Sequence, residues 1–304
     1  MSKKNIILSI VFFLLCIGVA LFFYVQNIHK DITTTLQEIH EPELREVSTL
    51  RKEKIELQQK TPFSLLILGV DKRDGDKGRS DTLLLLTVNP TSESIKMVSI
   101  PRDTYTEIIG LGIHDKINHA YAFGDIEMTV NTVENLLHVP IDYVVKIDME
   151  GFQDIVDFVG GVDVVNETTF EVFGHTFLEG KIRLQGEQAL DYVRMRKDDP
   201  QGDFGRQHRQ KQVIQSLLKK GANFNLLLRH KELLLIIEEN IQTNMTFEQM
   251  LDIQKDYKKS INTIETLTFE EGAGELKDGI WYYMMNENEL KKISEEIKLH
   301  LEMH

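Results

Sequence analysis

One cysteine in 304 residues, Cys16, rules out a disulfide framework, so the folded part must be held by a hydrophobic core. Positive charge is in deficit. Lys and Arg number 35 against 48 Asp and Glu, and the formal charge of −13 excludes a general nucleic-acid binder. Prolines number six, and no Pro/Gly/Ser-rich linker, internal repeat or low-complexity tract divides the chain after residue 61. A single long apolar run excludes a multi-span transporter, and a composition of 41% hydrophobic and 27% charged residues excludes a mostly disordered chain. The phosphate-loop pattern Gly-x-x-x-x-Gly-Lys-Ser/Thr and the nucleophile elbow Gly-x-Ser-x-Gly are both missing. His114 and His119 lack a metal-ligand framework and read as structural or surface residues.

The apolar run, residues 6–25, carries no charge and as a helix would span about 30 Å, the thickness of a bilayer core. Lys3 and Lys4 precede it, which keeps a tail of residues 1–5 cytoplasmic and exports the rest. A cleaved signal has an apolar region of about 7–15 residues and a small-x-small site. This run is longer and ends Phe22-Phe23-Tyr24-Val25, so a single-pass type II signal anchor in the cell membrane, with the domain outside, is expected instead. Residues 26–61 place Ile32, Leu36, Ile39, Val47, Leu50 and Leu57 at broken three-and-four spacing around Pro42. A helical stalk is expected there, with a short dimerising coil as the alternative.

The remainder, residues 62–304, reads as one domain. Runs rich in Leu, Ile and Val at 63–70, 82–88, 94–100 and 141–147 predict strands. Leu83-Leu84-Leu85-Leu86 lacks polar alternation, as a strand covered on both faces should. Helical spacing joins Ile126, Val130, Val133 and Leu137, then Phe152, Ile155, Val156 and Val159 before Gly160-Gly161. Helices are further predicted at 206–220, 225–240, 247–259 and 287–301, the third opened by a Thr246/Gln249 capping box, and strands at 264–269 and 280–284. Strands alternating with helices predict an α/β fold, a central mixed β-sheet covered by helices on both faces. Trp281, Tyr282 and Tyr283 read as core or lid residues.

Three stretches carry candidate chemistry. Asp71 and Asp81 bracket a charged loop between two strands, where carboxylates could together hold a hard cation such as Mg²⁺; a solvated turn is the alternative. Arg102, in Ile100-Pro101-Arg102-Asp103, ends a strand, where α/β folds place ligands; a capping ion pair is the alternative. Arg194 and Arg196, on one side of an extended segment, precede a turn over 198–205 and a helix whose inward stripe begins with Arg206 and Gln210. Buried charge demands a partner. Between residues 181 and 220 there are ten Lys and Arg against five Asp and Glu, a basic patch in an acidic chain suited to a phosphate ligand or to an internal Arg–Asp network.

Ordered along the chain stand Leu-Gly-Val-Asp-x-Arg, Gly-Arg-Ser-Asp-Thr, Ser-Ile-Pro-Arg-Asp, Lys-Ile-Asn-His-Ala-Tyr, Gly-Gly-Val and Arg-x-Arg with Gly-Asp-Phe-Gly-Arg-x-x-Arg-Gln. Densely over 62–221, the chain resembles the LytR-CpsA-Psr family, and residues 246–259 and 279–283 look like its teichoic-acid transferase branch. That resemblance implies an α/β sandwich with an apolar groove for a lipid tail. It also implies an enzyme on the outer face of a Gram-positive membrane that moves a glycopolymer, such as wall teichoic acid, from a polyisoprenyl pyrophosphate carrier to a peptidoglycan sugar hydroxyl. Carried over, Asp71 and Asp81 hold Mg²⁺ (or Mn²⁺). Arg79, Arg102, Arg194 and Arg196 surround the pyrophosphate, and Arg206, Arg209 and Gln210 add contacts. Thr106 stands where some members carry a further basic residue. Asp203 and Asp81 are the expected candidates for the base that takes the acceptor's proton. A phosphatase acting on the same lipid and a non-catalytic envelope-binding regulator remain the alternatives.

Overall fold

The computed structural model describes residues 48–51, 55–71, 77–196, 199–221 and 229–303. The expected anchor, the cytoplasmic tail and most of the stalk lie outside them. Among the described residues no helix is long and apolar enough to cross a membrane. Residues 48–51 and 55–61, read from the sequence as stalk, pack on the domain instead. Leu57 is buried among Phe63, Leu86 and Tyr257, and Arg51 Nε lies 2.7 Å from Asp142 Oδ1.

The first part of the domain contains β1 (Phe63–Asp71), β2 (Arg79–Asn89), β3 (Ser94–Ser99), β4 (Tyr105–Ile108), β5 (Ile113–Lys116) and α1 (His119–Leu137). Next come β6 (Tyr143–Asp148), α2 (Met149–Phe158), β7 (Val162–Asn166), β8 (Phe170–Val172), β9 (His175–Phe177), β10 (Gly180–Leu184) and α3 (Gly186–Arg194). The last part holds α4 (Asp203–Gly221), α5 (His230–Asn240), β11 (Ile241–Thr243), α6 (Phe247–Asp256), β12 (Thr263–Leu267), β13 (Ala273–Lys277), β14 (Ile280–Met284) and α7 (Glu287–His300).

Six strands form one mixed sheet in the order β11-β6-β1-β2-β3-β12, with β1–β6 and β3–β12 parallel and the other pairs antiparallel. The uninterrupted leucines of β2 show why helices cover both faces. Leu83 and Leu85 enter a core closed by α1 and α7, through Val130, Val133, Ile293 and Ile297. Leu84 and Leu86 enter the opposite core, where Ile214 and Leu218 of α4 and Ile253 of α6 pack. A third core joins Val156 of α2, Tyr192 of α3 and Val213 of α4 to the β7–β10 pair.

Where the structure departs from expectation, local chemistry explains it. Residues 280–284 form a strand, but β14 lies outside the six-stranded sheet and pairs with β13, across a turn in which Asp278 and Gly279 both take positive φ (50° and 79°). Arg194 ends a helix, not an extended segment. α3 opens with a Gln185/Gln188 capping box, a less usual pair than Ser/Thr with Glu. α4 starts at Asp203, three residues earlier than expected, which turns the Gly-Asp-Phe-Gly stretch into its first turn.

Candidate active site

A cavity of about 270 Å³ opens at the C-terminal ends of the parallel pair β1 and β6, between the sheet and α2, α3 and α4. Its inner part is apolar, lined by Ile67, Ile147, Phe152, Leu190, Val193 and Ile214. At its mouth converge Asp71, Asp81, Arg102, Arg194, Arg196, Arg206 and Gln210. Asp71, Asp81, Arg102 and Arg196 also line a second, polar cavity of about 490 Å³, reached by Arg79, Asp103, Lys116, Asn118, His119 and Trp281. The two form one cleft with an oily arm and a polar arm meeting at a charged waist.

A backbone irregularity brings the two acids together. The β1–β2 register shifts between Gly69 and Val70, so Thr82 faces Gly69 and Ser80 faces Val70, leaving Asp81 as the extra residue of a bulge. Simple alternation would send Asp81 to the face of Leu83 and Leu85, opposite Asp71; the bulge turns it to the cleft. Gly69 is required there, because a Cβ would lie 2.9 Å from Thr82 Cβ. Two oxygen-donor carboxylates on one cleft suit a hard cation, which takes one or two protein carboxylates and completes its shell with water and phosphate. Among the described residues no group of three or more His, Cys, Asp and Glu could hold a metal by protein ligands alone. Asp148, on the same wall, serves as the N-cap of α2 by accepting from Gly151 N at 2.9 Å.

The arginines divide into two kinds. Arg102 Nη1 meets Asp81 Oδ1 at 2.8 Å, while its buried Nε has no hydrogen-bond acceptor among the described residues. Burial works against its charge, but Asp81, Asp203 and Asp103 outweigh that and hold its pKa above the ordinary value. Arg206 donates from Nε (2.9 Å) and Nη2 (2.7 Å) to Asp203 Oδ1 and from Nη1 to the Asp81 carbonyl at 3.2 Å. Its burial pushes its pKa down, Asp203 opposes, and nearby Arg102 adds to the fall. Arg194 lies over the Phe173 ring at 5.4 Å, and Arg196 Nε stands 4.0 Å from Asp203 Oδ1. Among the described residues, six lining cations, Lys116 included, face four lining carboxylates, a balance that favours an anion.

Two expected residues sit elsewhere. Arg209 does not line the cleft. Its guanidinium lies beneath α3, donating to Tyr192 O (2.9 Å), Met195 O (2.5 Å) and Asp199 Oδ2 (2.6 Å). Its partners are main-chain carbonyls at the end of α3 and one buried carboxylate, and it is not among the described residues that line the cleft. Asp203 is not among the described residues that line the cleft; its Oδ1 accepts from Arg206 and its Oδ2 from Gln207 Nε2 at 3.1 Å, which ties it to positioning the cations. Lys116, Asn118 and His119 line the polar arm although sequence reasoning assigned them no role; their shared motif, starting at the last residue of β5, was the available signal. Lys116 Nζ, 2.7 Å from Asp103 Oδ1, supplies a cation where Thr106 supplies none.

Comparison with known proteins agrees with this architecture. The Polyisoprenyl-teichoic acid–peptidoglycan teichoic acid transferase TagU of Bacillus mycoides (strain KBAB4) is 48% identical over 280 residues, covering 92% of this chain and 92% of its own. The crystal structure of B. subtilis TagU superposes with a TM-score of 0.65 at 48% identity, covering 81% of this chain and 99% of that one. A structure of TagT bound to LIIa-WTA superposes with a TM-score of 0.73 at 29% identity, covering 84% of this chain and 97% of that one. A model of the LytR_cpsA_psr family matches residues 22–299, and with that match spanning sheet, cleft and C-terminal hairpin alike, this chain belongs to the LytR_cpsA_psr family.

Proposed function

We propose that this chain transfers an anionic glycopolymer of the wall teichoic acid kind from a polyisoprenyl pyrophosphate carrier to a sugar hydroxyl of peptidoglycan, forming a phosphodiester. The observation that carries it is the two-armed cleft. The apolar arm between β1, α2, α3 and α4 suits a prenyl tail, and the cationic waist suits the diphosphate joined to it. Relatives named as teichoic acid transferases and a TagT structure with LIIa-WTA bound support the same reading.

Phosphoryl transfer asks a protein mainly for positioning and charge neutralisation. Arg102 and Arg206, fixed by carboxylates and burial, hold the diphosphate in place. Arg194 and Arg196, more exposed, close over its outer oxygens. Asp71 and Asp81 would hold Mg²⁺ or Mn²⁺, which when bound neutralises charge on the diphosphate. Water-free contact along the apolar arm keeps the carrier seated while its polar end reacts. An anchor over residues 6–25 belongs to the same reading. It would confine the domain to the plane of a lipid-linked donor and raise its effective concentration.

The test is purified protein with lipid-linked donor and peptidoglycan acceptor. A phosphodiester-linked product is expected, falling at least 100-fold in Arg194→Ala and Arg196→Ala. Release of free polymer phosphate without linkage would assign hydrolysis instead, and wild-type phenotypes in cells carrying both substitutions would assign a non-catalytic role.

A further inference from the structure

Transfer to a hydroxyl needs a base, and both acids expected to supply it are engaged. Asp203 accepts from Arg206 and Gln207, and Asp81 from Arg102. The polar arm offers another group. His119, the first residue of α1, places Nδ1 2.7 Å from Asp115 Oδ2, while its Nε2, on the opposite edge of the ring, has no partner among the described residues. Asp115 is in turn held by Lys116 N–H (2.8 Å) and the Tyr282 hydroxyl (3.4 Å). Burial raises its pKa, but the bonds from His119, Lys116 and Tyr282 outweigh that and keep it below the ordinary value. An ionised Asp115 fixes the tautomer with hydrogen on Nδ1 and leaves the Nε2 lone pair free.

The backbone carries this pair to the waist. Asn118 N–H donates to Arg102 O at 3.2 Å and Ile117 N–H to Thr104 O at 2.9 Å, stitching the start of α1 to the loop that delivers Arg102. Beside it, the buried Asn118 Oδ1 has no donor among the described residues. Across the arm stands Trp281, 43% exposed, on a hairpin tied to the same loop by Tyr283 N–H to Asp103 O at 2.9 Å. Gly274 lets the indole lie flat, since a Cβ there would come 2.7 Å from its Nε1. An exposed indole and a free imidazole nitrogen together fit a sugar bearing a hydroxyl.

Resting on the transferase reading, we propose that the polar arm seats the acceptor sugar, and that His119 Nε2 takes the proton of its attacking hydroxyl, with Asp115 as the positioning residue. The hydroxyl oxygen bonds to the phosphorus bearing the glycopolymer. The bridging P–O bond breaks, and its electron pair leaves with polyisoprenyl phosphate. The proton passes to Nε2, the imidazolium is stabilised by Asp115, and water removes the proton after product release. Among the described residues, the charged and titratable groups facing His119 are Asp115 and Lys116 of β5, Arg102 and Asp103 of the loop, Tyr282 of β14, and Asp71, Arg79, Asp81 and Arg196 across the arm.

The experiment compares wild type, His119→Gln, Asp115→Asn and Trp281→Ala in the transfer assay, with farnesyl pyrophosphate affinity and melting temperature measured alongside. In His119→Gln, kcat falls about 10²- to 10⁴-fold with farnesyl pyrophosphate affinity retained, and the acid limb of the rate–pH profile disappears. Asp115→Asn lowers kcat and reshapes the same limb, and Trp281→Ala raises the acceptor KM. Wild-type transfer with His119→Gln equally active, or with its pH profile intact, overturns this inference alone. No transfer by wild type under any condition overturns the transferase reading beneath it.

Discussion

Substitution of Arg209 by Ala separates a structural guanidinium from a substrate-binding one. The wild-type fork bonds to Tyr192 O, Met195 O, Met195 Sδ and Asp199 Oδ2, and lies 5.5 Å from the Phe170 ring centre. Its removal leaves the Asp199 carboxylate, only 5% exposed, without its cation, and frees two carbonyls at the end of α3. Breaking a buried ion pair by deleting one partner costs about 3–5 kcal/mol. At roughly 2–4 °C per kcal/mol for a domain of this size, a central value near 4 kcal/mol lowers the melting temperature by about 8–16 °C. Arg209→Lys keeps the charge but not the fork and falls between. Calorimetry or thermal fluorescence reads the shift, and the transfer assay runs at a temperature where both proteins remain folded. There the variant retains activity within a few-fold. A melting point within 2 °C of wild type together with lost transfer would refute the assignment and return Arg209 to the cleft.

Gly69→Ala forces its new Cβ against Thr82 and disturbs the bulge, so transfer should fall more than tenfold while stability drops by about 1–3 kcal/mol, read by urea unfolding. Chelation with EDTA should abolish transfer, Mg²⁺ or Mn²⁺ should restore it, and Asp71→Asn and Asp81→Asn should each raise the metal concentration needed. His300, hydrogen-bonded to Thr87 Oγ1 at 2.7 Å and Ser94 Oγ at 2.9 Å, has its pKa pushed down from 6.5 to about 4 by burial and by Lys96. Its imidazole is neutral in the fold while the unfolded chain binds a proton below 6.5, so its contribution is full above pH 6.5 and is lost as pH falls through 4. Denaturant midpoints at pH 7.5 and 4.5 should differ more for wild type than for His300→Gln, by on the order of 1–2 kcal/mol once solvent screening is allowed for.

Legibility in the sequence followed the range of the interaction involved. Leu83 to Leu86 announced a two-faced strand because burial on both sides removes polar alternation, and the 3.6-residue stripes of α1, α2 and α7 announced helices for the same local reason. α3 escaped because its cap is a Gln pair and its stripe is brief. The pairing of β14 with β13 was encoded in Asp278-Gly279, a turn signal that went unused. In the site, Asp71, Asp81, Arg102, Arg194, Arg196, Arg206 and Gln210 stood out as residue types, and the structure unites them. Nothing local distinguishes Arg206, which reaches the waist, from Arg209, three residues later, which meets main-chain carbonyls. Their fates depend on where α3 ends, a tertiary fact. His119 was discounted for the same reason, since its partner Asp115 becomes meaningful only when β5 meets α1 beside the Arg102 loop.

The hairpin of β13 and β14 is fastened to the Arg102 loop, β12 closes the sheet edge beside β3, and α7 plugs the core beneath it. All of these come from residues 263–303, C-terminal to every arginine of the cleft. Chains that emerge N-terminus first therefore gather their arginines and acids early but stay without a finished edge, floor or aromatic wall until residues 263–303 have followed. A product stopping before β12 would lack all three and be an inert fragment destined for proteolysis, so arrival of this segment is itself the licence for catalysis.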